Sequence, residues 1–287
     1  MHLSHAIRQY LLADAGATKT EWCWVNDSAC SRCYLPGINA NTATDEEVEH
    51  NLSSVVNELQ IQAEQVAKIS FFGAGCGNPI NALRIQKMLQ ATFPNADVEV
   101  YSDLMCACRA VCADKQGIVG ILGTGASSCL YDGEKIVAQA PSLGWLLGDE
   151  GSGTYLGKML VTAYLQNELS ALANEELERR YGFTPQQLVR EIAVLPNPRQ
   201  FFASFAPFVE EFLTDDSVMN IGLNAFNEYF RRFVCRYEHY QDYQLNMVGS
   251  IAFAFQNVIN RAALQHHVKI GEVAKAPMEA LVQKLIE

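Results

Sequence analysis

The chain has 287 residues, 49 % hydrophobic and 18 % charged, which is the balance of a globular protein long enough for two domains. Its 21 Lys and Arg against 32 Asp and Glu leave a formal net charge of −11. That balance sets nucleic acid and anionic membrane surfaces aside as partners, while a small anionic ligand stays open because backbone amides can hold one.

No leading segment reads as an export signal, since His5, Arg8 and Asp14 interrupt it. The longest charge-free window, 243–260, is broken by Asn246, Gly249, Ser250, Gln256 and Asn257 and does not read as a membrane span. The nine cysteines are an odd number without an export signal, so they read as free, mostly buried thiols of a cytoplasmic protein. Cys30-x-x-Cys33 falls in a strand, where residues three apart face opposite ways. Cys106, Cys108 and Cys112 fall on a helix, where only the last two share a face. Neither set completes a zinc site.

In chain order, residues 9–14, 20–25 and 30–35 read as strands, with a glycine turn over 14–20. Residues 45–59 read as a helix, with Val48, Leu52, Val55, Val56 and Leu59 at helical spacing and Thr44 as N-cap. Strand 66–72, helix 79–93, strand 98–101 and helix 103–113 follow. The second half opens with strands again, at 118–122, 127–131 and 135–139, with Asp132-Gly133 as a two-residue hairpin signal. Helical stretches are expected at 154–172, 185–195, 201–213, 218–237 and 251–264. Short strands are expected at 245–248 and 268–270, and a last helix at 277–286 with Pro at its start. Each half thus begins with strands joined by glycine turns, which argues an α/β protein of two similar lobes with a ligand cleft between them.

Four turns carry the chemistry. Asp14-x-Gly16-x-Thr18-Lys19-Thr20 follows a buried strand. Thr18 and Lys19 can cradle a phosphate, and Asp14 can hold Mg²⁺ through water. The plain alternative is an ordinary hairpin with solvated charges. Gly123-Thr124-Gly125-Ala126-Ser127 repeats the layout in the second half. It is neither a Walker A loop nor a Rossmann fingerprint, which would need Gly where Ser128 stands. Gly144-Trp145 to Asp149-Glu150 and Gly153 is glycine-dense beyond what helix capping by the acids requires. Gly249-Ser250 leads from a strand to a helix and can let an adenine or ribose approach the backbone. Asp103, after Ser102 at a strand end, can cap a helix or accept a proton from a substrate hydroxyl. Asn39 is a further hydrogen-bonding candidate.

Taken in order, these segments resemble the N-acetylglucosamine kinase family. It belongs to the superfamily of sugar kinases, heat-shock protein 70 and actin, and is grouped with the activator ATPases of benzoyl-CoA reductase and 2-hydroxyglutaryl-CoA dehydratase. The resemblance spans nearly the whole chain. It implies two ribonuclease-H-like (actin-like ATPase) lobes with a central cleft for ATP and sugar. The first would be residues 1–115 completed by the closing helix 275–287, the second residues 116–274. It implies that Gly16, Thr18, Lys19, Gly123, Thr124 and Gly125 hold ATP phosphates, that Asp14 organises Mg²⁺, and that Gly249 and Ser250 line the adenosine pocket. Asn39, Asp103, Ala126, Ser127, Gly144, Trp145 and Asp149 would face the sugar, with Asp103 as general base for its 6-hydroxyl. The chain departs from the family's usual Gly-Ser-Asn at Gly125-Ala126-Ser127, and it has Leu146 where the animal enzymes usually have Gly.

The expected reaction is ATP-dependent phosphorylation of an amino sugar. The alternative is an activator ATPase that couples nucleotide hydrolysis to electron transfer in a partner reductase or dehydratase, which would need cysteine thiolates at an iron–sulfur cluster. A nucleotide-gated scaffold is a third reading, though it would need neither Asp103 nor the sugar loop. Phe226, Tyr229, Phe230 and Phe233 form an aromatic stripe that reads as core, with a homodimer face as the second reading.

Overall fold

The computed structural model describes residues 9–16, 19–27 and 29–286. Thr18 of the first turn lies outside the described residues. The chain divides into two compact units. One runs to Ala110 and takes back the chain from Pro277, and the other is Val111–Ala276.

The first unit opens with an antiparallel meander of β1 (Gln9–Ala15), β2 (Lys19–Asn26) and β3 (Ala29–Pro36). Helix α1 (Asp45–Glu58) follows, then β4 (Lys68–Gly73), α2 (Pro79–Thr92), β5 (Asp97–Ser102) and α3 (Asp103–Val111). Thr44 caps α1 in a full capping box: the Glu47 N–H donates to Thr44 Oγ1 at 3.2 Å, and Glu47 Oε2 accepts from the Thr44 N–H at 2.9 Å. β4 and β5 lie parallel to β1, as helical crossovers require. The sheet order is β3-β2-β1-β4-β5. Ala15, Gly73 and Ser102 are in register, so the strands β1, β4 and β5 end at one carboxyl edge.

The second unit repeats this plan with β6 (Gly117–Leu122), β7 (Ala126–Tyr131) and β8 (Ile136–Gln139) as the meander. A helical segment follows: α4 (Gly144–Leu147), α5 (Gly153–Leu165), α6 (Ala171–Tyr181), α7 (Pro185–Ile192), α8 (Pro198–Ala203), α9 (Ala206–Glu211) and α10 (Asp216–Tyr229). Then come β9 (Gln244–Val248), α11 (Ser250–Ala254), α12 (Gln256–Gln265) and β10 (Lys269–Ala274). β9 is parallel to β6 and to β10, in the order β10-β9-β6-β7-β8. The closing helix α13 (Pro277–Ile286) returns to the first unit, where Lys284 donates to the Ala110 carbonyl.

Several expected elements change. Helix 218–237 ends at Tyr229 and passes into π-helix over Phe230–Val234. The expected helix 154–172 ends at Leu165, and α6, capped by the Ser170 hydroxyl, lies mostly where no helix was expected. Residues 201–213 and 251–264 each break into two short helices. The Asp132-Gly133 hairpin is a four-residue loop in which Asp132 Oδ1 accepts from the Glu134 and Lys135 N–H groups. Phe226, Tyr229, Phe230 and Phe233 are buried in the second unit's core, which removes them as a dimer face. Cys23 and Cys30 form a disulfide between β2 and β3, a correction to nine free thiols. Cys76, Cys106, Cys108, Cys112 and Cys129 are buried, as expected of core thiols. Among the described residues no helix is long and apolar enough to cross a membrane.

Candidate active site

In the first unit three loops meet at the carboxyl edge of the sheet, where ligands bind in open α/β folds. The Ala74 N–H donates to the Ala15 carbonyl at 2.8 Å, and the Ala40 N–H donates to the Ala74 carbonyl at 2.8 Å. The β1–β2 turn, the glycine loop after β4 and the Asn39 loop are therefore tied backbone to backbone. Gly75 has φ +82°, and a Cβ there would stand 3.0 Å from Asn39 Oδ1, so glycine is required for this approach. Asn39 Oδ1 accepts from the Asn41 N–H at 3.0 Å. The loop is fixed from beneath by buried Asn51, which accepts from Trp22 Nε1 at 3.0 Å and donates to the Pro36 carbonyl at 2.8 Å. Asn39, Gly37, Glu47 and His50 line a cavity of about 380 Å³.

Asp14 sits at the end of β1, one residue before the turn, in which the Gly16 N–H donates to the Lys19 carbonyl at 3.0 Å. Burial, then the charges of Asp103 and Glu21, push its carboxyl up to about 6, against a small opposing effect of Lys19. Asp103 is exposed at the start of α3, where its Oδ1 accepts from the Leu104 N–H at 2.9 Å. Lys19 places its ammonium 4.4 Å from the Tyr34 ring centroid. Among the described residues no three His, Cys, Asp or Glu side chains converge on a metal position. Asp14 alone fits Mg²⁺, which keeps most of its waters and takes its other ligands from phosphate.

The second unit gathers its own turns at the same edge. The Gly123 N–H donates to the Gly125 carbonyl at 3.0 Å, closing the β6–β7 turn and leaving Thr124 exposed at its tip. The start of α5 docks on this turn: the Gly153 N–H donates to the Gly123 carbonyl at 2.8 Å, and the Thr154 hydroxyl to the Thr124 carbonyl at 2.7 Å. Gly249 has φ +127°, and a Cβ there would collide with the Leu122 carbonyl, so the β9–α11 turn packs directly on the start of the β6–β7 turn. Ser250 borders a cavity of about 520 Å³ with Phe253, Glu210 and Lys275.

The Gly144–Asp149 segment lies beside this turn. Gly144 is exposed, and Trp145 is half-buried against Phe202, with ring centroids 6.4 Å apart. Lys158 Nζ donates to the Trp145 carbonyl at 2.7 Å. Burial holds this ammonium below its ordinary value, against the opposing charges of Asp149 and Glu150. Asp149 is buried at φ +58°, 4.0 Å from Arg199 Nη2. Glu150, also buried, forms an ion pair with Arg232, whose Nε lies 3.0 Å from Glu150 Oε1. Ala126 is buried and Ser127 half-buried, and the Ser127 carbonyl accepts from Tyr229 Oη at 3.2 Å. Sequence patterns did not mark Lys158, Arg199, Phe202 or Lys275, which reach the site from other segments, nor Glu21, whose pairing with Asp14 depends on the hairpin register.

Two repeated five-stranded units with turns of this kind define the actin-like ATPase and sugar kinase fold. The profile of the BadF/BadG/BcrA/BcrD ATPase family matches residues 13–198, and the chain belongs to that family. A candidate N-acetylglucosamine kinase from Porphyromonas gingivalis is 34 % identical, with TM-score 0.84 over 96 % of this chain and 97 % of that one. A second, from Chromobacterium violaceum, shares the fold at 17 % identity and TM-score 0.71, over 98 % and 99 % of the two chains. An N-acetylmuramic acid/N-acetylglucosamine kinase from Clostridium acetobutylicum is 30 % identical over 135 residues, 45 % of this chain and 44 % of its own. The match therefore spans less than half the length of that curated relative.

Proposed function

We propose that the protein is an ATP-dependent kinase of an amino sugar, N-acetylglucosamine, acting at the 6-hydroxyl in the cytoplasm. The observation that carries this reading is the pair of carboxylates at one sheet edge. Asp14 is half-buried and pushed up in part by the charge of Asp103, while Asp103 itself is exposed and able to meet a hydroxyl. The names of the Porphyromonas gingivalis and Clostridium acetobutylicum relatives support the same substrate class.

On this reading Asp103 accepts the proton of the 6-hydroxyl as its oxygen attacks the γ-phosphorus. The bond to the β–γ bridging oxygen breaks, and ADP leaves. A positioned base of this kind contributes roughly 10²–10⁴-fold. Gly16, Thr18, Lys19 and the Gly123–Gly125 turn would hold the phosphates through the Lys19 ammonium, the threonine hydroxyls and the amides that the turn-closing bonds leave free, so a chain of net charge −11 needs no basic surface for ATP. Asp14 would hold Mg²⁺, which supplies neutralisation of phosphate charge when bound. Gly249 and Ser250 would face the adenosine. Asn39, Ala126, Ser127, Gly144, Trp145 and Asp149 would orient the sugar.

The electron-transfer alternative asks for thiolates, and burial pushes Cys33 and Cys76 the other way, each up to about 11. The test is product identification by phosphorus–proton NMR correlation after incubation with ATP, Mg²⁺ and N-acetylglucosamine. The expected product carries phosphate on O6. Recovery of unphosphorylated sugar alone overturns the reading.

A further inference from the structure

Helix α8 brings a cation to the Gly123–Gly125 turn. A Cβ on Gly125 would stand 2.5 Å from Arg199 Nη2 and 3.0 Å from Asp149 Oδ2. The guanidinium therefore lies against the turn itself. The backbone that carries it is held at the turn, because the Thr154 hydroxyl faces two carbonyls, that of Thr124 at 2.7 Å and that of Arg199 at 3.2 Å. α8 is itself seated on α5 at Gly157, where any side chain would collide with the Phe202 backbone.

The guanidinium's ion pair among the described residues is the loose one to Asp149, at 4.0 Å, longer than a hydrogen bond. The Arg199 side chain is 48 % exposed, whereas that of Asp149 is 7 % exposed. Most of the planar donor fork is thus unspent and faces outward beside the exposed tip of the turn. That is the chemistry that grips non-bridging phosphate oxygens in pairs.

We propose that Arg199 binds the γ-phosphoryl group of ATP on the Gly123–Gly125 turn, and so belongs to the reacting centre. This rests on the kinase reading above. The guanidinium stays protonated throughout. The phosphoryl group passes from the ADP oxygen to the sugar oxygen, and Arg199 neutralises charge on its outer oxygens without giving or taking a proton. The rival role is structural, with Arg199 only offsetting the buried Asp149 charge.

The two roles separate in nucleotide binding without sugar. Affinities for ADP and for a non-hydrolysable ATP analogue are measured by calorimetry, with Mg²⁺, for the wild type, Arg199→Gln and Arg199→Lys. The expected result is a wild-type preference for the triphosphate that falls about tenfold in R199Q, with ADP affinity unchanged and partial recovery in R199K. Turnover with sugar is expected to fall roughly 10²–10³-fold in R199Q, the usual effect of removing one preorganised donor. An unchanged triphosphate preference with a raised sugar KM would assign Arg199 to Asp149 and overturn the proposal. A lost preference without sugar-stimulated turnover in the wild type would sink the kinase reading and leave the phosphate contact standing. Absence of nucleotide binding by the wild type would overturn both. R199K, which keeps the charge beside Asp149, separates a folding failure of R199Q from a lost contact.

Discussion

Asp14 and Glu21 stand directly opposite one another across the β1–β2 hairpin. Like charges so placed are destabilising by a few tenths to about 1 kcal/mol. Glu21 is relieved by Arg32 Nη1 at 3.2 Å, while Asp14 keeps a carboxyl pushed up to about 6 by burial, Asp103 and Glu21. A half-buried acid left in this state suits a position that receives a cation. Asp14→Asn is therefore expected to raise the Tm of the ligand-free protein by a few degrees at pH 7.5. The same variant should need far more Mg²⁺ for turnover, and chelation of divalent cations should abolish wild-type turnover. Thermal melts and a Mg²⁺ titration check both parts.

The hydroxyl of Thr154 holds the Thr124 carbonyl from a fully buried position. Thr154→Val keeps the shape and removes the bond, at a cost of about 1 kcal/mol in stability. The freed turn should raise the KM for ATP several-fold while the KM for sugar changes less. Urea unfolding and steady-state kinetics measure the two effects.

Gly249 combines φ +127° with direct packing on the Leu122 carbonyl. Gly249→Ala meets both a strained backbone and a collision, so a loss of more than about 2 kcal/mol is expected. Gly144 also has positive φ, at +70°, but nothing lies near its absent Cβ. Gly144→Ala should consequently be the milder change, and melting curves of the two variants compare them.

His266 stacks on Phe230, with ring centroids 5.4 Å apart, and its Nε2 lies 3.1 Å from Asn227 Oδ1. Burial, with a smaller effect of His267, holds the ring below the ordinary imidazole value. The unfolded chain therefore takes up the proton first as pH falls. Stability from this group is full above about pH 6.5 and declines below it, towards the lower folded value. Urea midpoints at pH 7.5 and 5.5 should differ less in His266→Gln than in the wild type.

Much of the plan was legible because the two halves repeat one local grammar. Buried strands run into glycine turns, and the meander strands with β4, β5 and β9 fall close to their expected positions, while β10 runs four residues past the expected 270. The helical segment between β8 and β9 was harder. The break at Pro196–Pro198 was expected, but the one before Ser170, whose hydroxyl accepts from the Ala173 N–H, was not, because helical periodicity does not register such a cap. Arg199 was invisible for another reason. Its meaning lies in contacts with Gly125 and Asp149, some 74 and 50 residues away in sequence, made through the packing of α8 on α5. Asp14 stood out by its motif, but the like-charge pairing with Glu21 appears only once the hairpin register is known.

The central claim is that a sugar hydroxyl is the phosphate acceptor and Asp103 its base. The most direct measurement is ADP formation with and without N-acetylglucosamine, in the wild type and in Asp103→Asn. The account expects sugar-stimulated ADP release in the wild type and a roughly 10²–10⁴-fold lower rate in the variant, with nucleotide affinity retained. Wild-type ADP release indifferent to the sugar, or an Asp103→Asn rate equal to wild type, would contradict it.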